Sequence, residues 1–139
     1  MDPRLVLRID VPVAWGEQDL FGHLNNVVFL RYFESVRMYY LERIGVLDLY
    51  RDANIGVILA HTAIDFRKPV IWPQTLAVRT GTTRIGNTSF TLGYTIHDEA
   101  DDLVAEGNSV QVMYDYGKGA KLTLPMPVLE AIARIQRHA

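Results

Sequence analysis

The chain has 139 residues, 49% of them hydrophobic and 22% charged, a balance that suits one domain with one core and excludes disorder. A net charge of −2 and a pI near 6.0 leave no footprint for nucleic acid. Zero cysteines exclude a disulfide framework and thiolate chemistry, and no apolar run reaches the ~20 residues of a membrane span. Met1-Asp2-Pro3-Arg4 lacks the form of a signal peptide, so the expectation is a single cytoplasmic domain over residues 1–139, with no membrane partner.

Leu5 to Trp15 places Leu5, Leu7, Ile9, Val11 and Val13 on one face and reads as a strand. Pro12 cannot donate to a ladder, which puts that strand at a sheet edge or breaks it there. The loop Trp15 to Asn26 follows. From Asn26 to Ile44 the apolar positions Phe29, Tyr32, Phe33, Val36, Tyr40 and Ile44 recur at helical spacing, and Gly45 is a suitable stop. No other predicted helix is as long or as apolar, so this is the one a sheet would wrap. Its aromatics read first as core, and second as wall of a pocket. Val46 to Asn54 is a mixed connection with a possible helical turn.

Gly56 to Val70 is rich in Ile, Val and Thr and reads as a strand, with apolar side chains on both faces, a pattern that favours an oligomer. Pro73 to Arg84, Thr88 to Asp98 and Leu103 to Tyr114 are three more strands, joined by turns at Gly86-Asn87 and at Glu99 to Asp102, hence an antiparallel meander. Gly117-Lys118-Gly119 is a flexible bend, and Pro127 to His138 a short terminal helix. The sum is α+β: an antiparallel five-stranded sheet, one long helix and a short C-terminal helix.

The chemistry concentrates in the loop before the long helix. Gly22 permits a tight path, Asn25 and Asn26 are good N-cap residues, and Asp19 is thereby aimed near a helix N-terminus able to hold a developing negative oxygen. The competing role for Asp19 is local capping of loop N–H groups. A carboxylate partly desolvated by Trp15, Leu20 and Phe21 would be the better base. Glu17, two residues earlier, could form an acid–base pair with Asp19 or be a solvated or supporting carboxylate. His23 is either a proton shuttle or a loop-orienting residue. His61 is either an interior histidine or a pocket residue. No pair among His23, His61, His97 and His138 has metal-ligand spacing, and there is neither a phosphate-binding glycine loop nor a Gly-x-Ser-x-Gly elbow.

Asp19, Gly22-His23-Leu24-Asn25-Asn26, Phe29, Tyr32, Phe33, Glu34 and Arg37 together resemble the signature of hotdog-fold acyl-CoA thioesterases, of the 4-hydroxybenzoyl-CoA type and its long-chain acyl-CoA relatives. The resemblance runs from about Val6 to Pro127. It implies a hotdog fold, an acyl-CoA substrate, no cofactor, and a homodimer or homotetramer paired through the Gly56–Val70 strand. It implies a catalytic group of Asp19, as general base or nucleophile, with His23 and Asn26, and an oxyanion site from the amides of Leu24, Asn25 and Val27. It also implies CoA or substrate contacts at His61, Arg67, Lys68, Arg84, Thr88 and Ser89. Some relatives carry Tyr where Asn26 stands, so the expected substrate is aliphatic, medium or long, its chain in a tunnel between helix and sheet. The rival readings are a non-catalytic binder of acyl-CoA or acyl-carrier protein, and a hotdog dehydratase or hydratase.

Overall fold

A computed structural model describes residues 1–137, and His138, expected at the end of the terminal helix, lies outside the described residues. The elements follow the order β1 (Leu7–Pro12), a single 3-10 turn (Trp15–Glu17), α1 (Asn26–Arg43), α2 (Val46–Ala53), β2 (Ile55–Phe66), β3 (Thr75–Ile85), β4 (Ser89–His97), β5 (Leu103–Asp115), β6 (Ala120–Lys121) and α3 (Met126–Arg137). All strand pairs are antiparallel, in the order β1-β3-β4-β5-β2, with two-residue β6 added beside β5. Edge strand β1 holds Pro12 at its last paired position, where a missing donor costs least. Val46–Ala53 is a full two-turn helix rather than a mixed connection.

Helix α1 begins where the Asn25 side chain accepts the Val27 N–H at 3.0 Å. It ends where Gly45, at φ 83°, turns the chain into α2. Its stripe of Phe29, Tyr32, Phe33, Val36, Tyr40 and Leu41 is buried against the inner face of the curled sheet. Each such side chain contributes roughly 1.5–3 kcal/mol by leaving water. Phe33 stacks on Tyr94 of β4 with ring centroids 4.4 Å apart. Among the described residues the expected tunnel between helix and sheet is not seen. Phe33, Tyr40, Phe90, Leu92, Tyr94 and Met113 fill that space and are at most 1% exposed.

Strand β2 shifts register between Leu59 and His61. The extra residue, Ala60, switches the parity of the side chains. Leu59 pairs with buried Gln111 and Thr62 with buried Ser109, so the face toward α1 carries Val57 and Leu59 before the bulge but Thr62, Ile64 and Phe66 after it.

At the opposite side of the sheet the first residues cross β3. A Cβ at Gly81 would stand 1.7 Å from the Arg4 carbonyl oxygen, a backbone contact that cannot yield, whereas one at Gly93 would meet only the tips of Thr83 and Leu5. Gln136 of α3 fastens the same corner by accepting from the Tyr40 hydroxyl at 2.8 Å and the Thr82 N–H at 3.0 Å while donating to the Arg4 carbonyl at 2.9 Å. Gly81→Ala is therefore expected to cost about 3 kcal/mol and lower Tm by roughly 10 °C. Gly93→Ala should cost clearly less. Calorimetry on the two variants checks the order.

Candidate active site

The loop after β1 is held by its own backbone. Gly22 sits at φ 78°, a conformation that favours glycine, and lets the chain double back so that Asp19 N–H donates to the His23 carbonyl at 2.7 Å. Asp19 Oδ1 then accepts from the N–H groups of Phe21 at 2.8 Å and His23 at 3.2 Å. Local capping and orientation of the carboxylate are thus one device: Oδ1 is committed to the loop, and Oδ2 has no hydrogen-bond donor among the described residues. The His23 ring also makes no hydrogen bond there. His23 orients the loop through its main chain, and its imidazole lines the cleft.

Glu17 braces this loop against α1. Its Oε1 accepts from the Ala14 N–H at 2.8 Å and the Tyr32 hydroxyl at 2.6 Å, and its carbonyl accepts from the Asn25 N–H at 2.9 Å. Burial first, and then the hydrogen bond to Glu17, push the Tyr32 hydroxyl above the ordinary tyrosine range, so it remains a protonated donor. Glu17 thus holds the loop through Ala14 and Tyr32. Tyr32, read from sequence as one more aromatic in a helical stripe, is its partner.

The amides at the start of α1 are mostly spoken for. Leu24 N–H donates to the Val70 carbonyl at 2.8 Å, Asn25 N–H to the Glu17 carbonyl, and Val27 N–H to the Asn25 side chain. The amides expected to form an oxyanion site at Leu24, Asn25 and Val27 are therefore engaged. The uncommitted one is Asn26 N–H, which has no partner among the described residues. The correction has a simple physical source: the first helical residue has no carbonyl four positions back to bond, while its neighbours are claimed by β2's exit loop and by the braces.

Asp19, His23 and Asn26 line one cleft of about 270 Å³ together with Phe29, Phe66, Arg67 and Lys68. Phe66 was not singled out from sequence; the bulge at Ala60 turns it inward, edge-on to Phe29 with centroids 5.3 Å apart. Arg67 and Lys68 stand on the wall of this cleft, and both are paired with carboxylates. Arg67 Nε donates to Glu106 at 3.0 Å, and Lys68 Nζ lies 2.7 Å from both Asp98 and Asp102. Hydrogen bonds to Asp102 and Asp98 hold the Lys68 ammonium above its usual range, and Lys68 in turn holds the Asp98 carboxyl below its own.

The other expected contacts are not brought here within one chain. Arg84, Thr88 and Ser89 stand at the β3–β4 hairpin, level with Ile58 of β2, which is roughly 25 Å along an extended strand from Phe66. His61 pairs with Val110 on the outer face, turned away from α1 by the bulge. The desolvating apolar neighbours of Asp19 are also missing: Trp15, Leu20 and Phe21 are 68%, 94% and 81% exposed. Among the described residues no helix is long and apolar enough to cross a membrane.

The sequence profile of the thioesterase-like superfamily matches residues 13–132. The chain is 31% identical over 84 residues to the uncharacterized protein YsmA of Bacillus subtilis (strain 168), a match spanning 60% of this chain and 56% of that relative's length. Among solved structures, a thioesterase from Thermus thermophilus, complexed with coenzyme A and Zn, superposes with a TM-score of 0.86 at 26% identity, covering 99% of this chain and 98% of that one. The PA2801 protein of Pseudomonas aeruginosa gives 0.82 at 28%, covering 92% and 98%.

Proposed function

The chain belongs to the thioesterase-like superfamily, has the hotdog fold and stands with the thioester hydrolases, and from that premise we propose that it hydrolyses aliphatic acyl-CoA to a free acid and CoA with Asp19 as its catalytic carboxylate. The observation that carries this reading is a pair of groups at one cleft. Asp19 is pinned through Oδ1 by the Phe21 and His23 amides, and the free N–H of Asn26 begins α1 at the same opening.

In the reaction, a water held by Asp19 Oδ2 attacks the thioester carbonyl carbon while Asp19 accepts its proton. The carbonyl oxygen takes up the electron pair, and the negative charge is stabilised at the Asn26 N–H and the positive end of α1. Collapse restores the carbonyl, breaks the C–S bond and returns the proton to the departing CoA thiolate. Direct attack by Asp19 Oδ2, through an acyl–carboxylate anhydride that water then opens, uses the same two groups.

Asn26 is a short polar side chain at the cleft, at the position where some relatives carry Tyr, which supports aliphatic substrates. A turnover panel from acetyl-CoA to palmitoyl-CoA plus benzoyl-CoA tests this. Expected is hydrolysis of straight-chain acyl-CoA faster than of benzoyl-CoA by at least about tenfold, the discrimination a hydrophobic pocket can supply. Tight binding with no turnover on any member identifies a non-catalytic binder and removes the hydrolase reading for this chain.

A further inference from the structure

The two groups assigned to the chemistry sit on separate parts of the chain, so something has to fix the distance between them. Asp19 belongs to a turn that is closed on itself. Its N–H bonds the His23 carbonyl, the Gly22 N–H bonds the Asp19 carbonyl at 3.1 Å, and Gln18 pairs with Leu24 across the base. Such a turn keeps its own shape yet is free to pivot as a unit about its two limbs. The Asn26 amide belongs to α1, whose buried stripe fixes it against the sheet. A pivot of the turn therefore moves the carboxylate relative to the Asn26 N–H without breaking either element.

The exit limb is tied to the β2–β3 connection, where Leu24 N–H donates to the Val70 carbonyl. The entry limb, Trp15–Glu17, has mostly local bonds: Glu17 N–H to the Ala14 carbonyl at 3.0 Å and Gln18 N–H to the Trp15 carbonyl at 3.3 Å. Its carbonyl bond from Asn25 N–H reaches the helix cap and no further. Among the described residues one hydrogen bond runs from this limb to the body of α1, from the Tyr32 hydroxyl to Glu17 Oε1 at 2.6 Å. Tyr32 suits that task. A helical side chain leans toward the helix N-terminus, so a tyrosine six positions after Asn26 delivers its hydroxyl back to the loop. Its ring is buried in the core, which holds the hydroxyl in place. Neither Tyr32 nor Glu17 lines the cleft, so any effect they have on rate passes through the groups that do.

We propose that Tyr32 is a positioning residue for the hydrolysis: through Glu17 it fixes the entry limb of the loop, and so sets the placement of the Asp19 carboxylate against the Asn26 N–H. The inference rests on the hydrolase reading given above. Both bonds that matter, from Tyr32 and from the Ala14 N–H, end on one oxygen of Glu17. The role therefore needs an acceptor oxygen at position 17 and a hydroxyl at position 32, and no negative charge at either.

The test takes the straight-chain acyl-CoA that the wild type hydrolyses fastest and measures kcat, KM and melting for each variant. Tyr32→Phe removes the hydroxyl and keeps the ring. It is expected to lower kcat about 10- to 100-fold, up to the cost of a misplacement near 1 Å, with KM within about threefold of the wild type because the cleft wall is intact. Glu17→Ala, which cuts the same link from the half-buried loop side, should lose at least as much and stands in should Tyr32→Phe not fold. Glu17→Gln keeps an acceptor oxygen and should hold kcat within about threefold of the wild type. In an Asp19→Asn background, adding Tyr32→Phe should change the residual rate by less than about threefold, because a residue that acts through Asp19 has nothing left to place. Wild-type kcat in Tyr32→Phe, a Glu17→Gln variant that melts normally yet is as slow as Glu17→Ala, or a full further loss in the Asp19→Asn background overturns this inference alone. A wild type inactive on every acyl-CoA removes the hydrolase reading, and this inference with it.

Discussion

Asp19→Asn should lower kcat for acyl-CoA hydrolysis by about 10²–10⁴-fold, the range for loss of a positioned general base, while leaving the fold intact. The reason both halves are expected lies in how the carboxylate is held. The two loop amides, from Phe21 and His23, bond one oxygen only. Asparagine presents an amide oxygen to those same donors, so the turn at Gly22 and the entry into α1 keep their geometry. What is lost is Oδ2, which becomes an NH₂ group unable to take a proton from water or to attack a carbonyl. Free CoA thiol measured over time gives kcat, and thermal denaturation followed by circular dichroism should place Tm within a few degrees of the wild type. A variant that retains its rate within about threefold and melts normally would deprive Asp19 of a chemical role.

Features set by near neighbours in the chain were open to sequence reading, and those set by distant ones were not. Helix α1 and its cap were visible because Asn25, Phe29, Phe33 and Tyr40 lie at spacings that a helix alone imposes. The meander β3–β4–β5 was visible from alternation and from its turn residues. The bulge at Ala60 carries no glycine or proline to announce it, yet it decides that Phe66 faces the cleft and His61 the outer side. The amide count at the helix start turned on Val70 and Glu17 carbonyls delivered by loops folded back from elsewhere. Arg67 and Lys68 looked like phosphate ligands in isolation; their carboxylate partners Glu106, Asp98 and Asp102 arrive from β5 and the β4–β5 turn, 30 to 39 positions further along the chain. Trp15, Leu20 and Phe21 read as a desolvating shell because apolar neighbours in sequence were taken as neighbours in space. The folded loop leaves all three exposed instead.

Asn26→Pro tests the other catalytic group, and this position permits an unusually clean deletion of a main-chain donor. Proline is favoured as the first residue of a helix, where its missing N–H breaks no intrahelical bond. The residue before a proline must be extended, and Asn25 already is, at φ −63° and ψ 137°. The cap from the Asn25 side chain to Val27 N–H is untouched. The substitution therefore removes the Asn26 amide, which has no partner among the described residues, and leaves the helix in place. Because the Asn26 side chain also lines the cleft, Asn26→Ala is the reference: it loses the side chain and keeps the amide. Relative to Asn26→Ala, the proline variant is expected to lose about 10²–10³-fold in kcat, the size of one oxyanion donor, with KM little changed because the charge develops only on the way to the tetrahedral state. Steady-state kinetics on the pair, alongside matching melting curves, decide the matter. Equal kcat in the proline and alanine variants would mean that the oxygen is stabilised elsewhere, and α1 would keep its structural role while losing its chemical one.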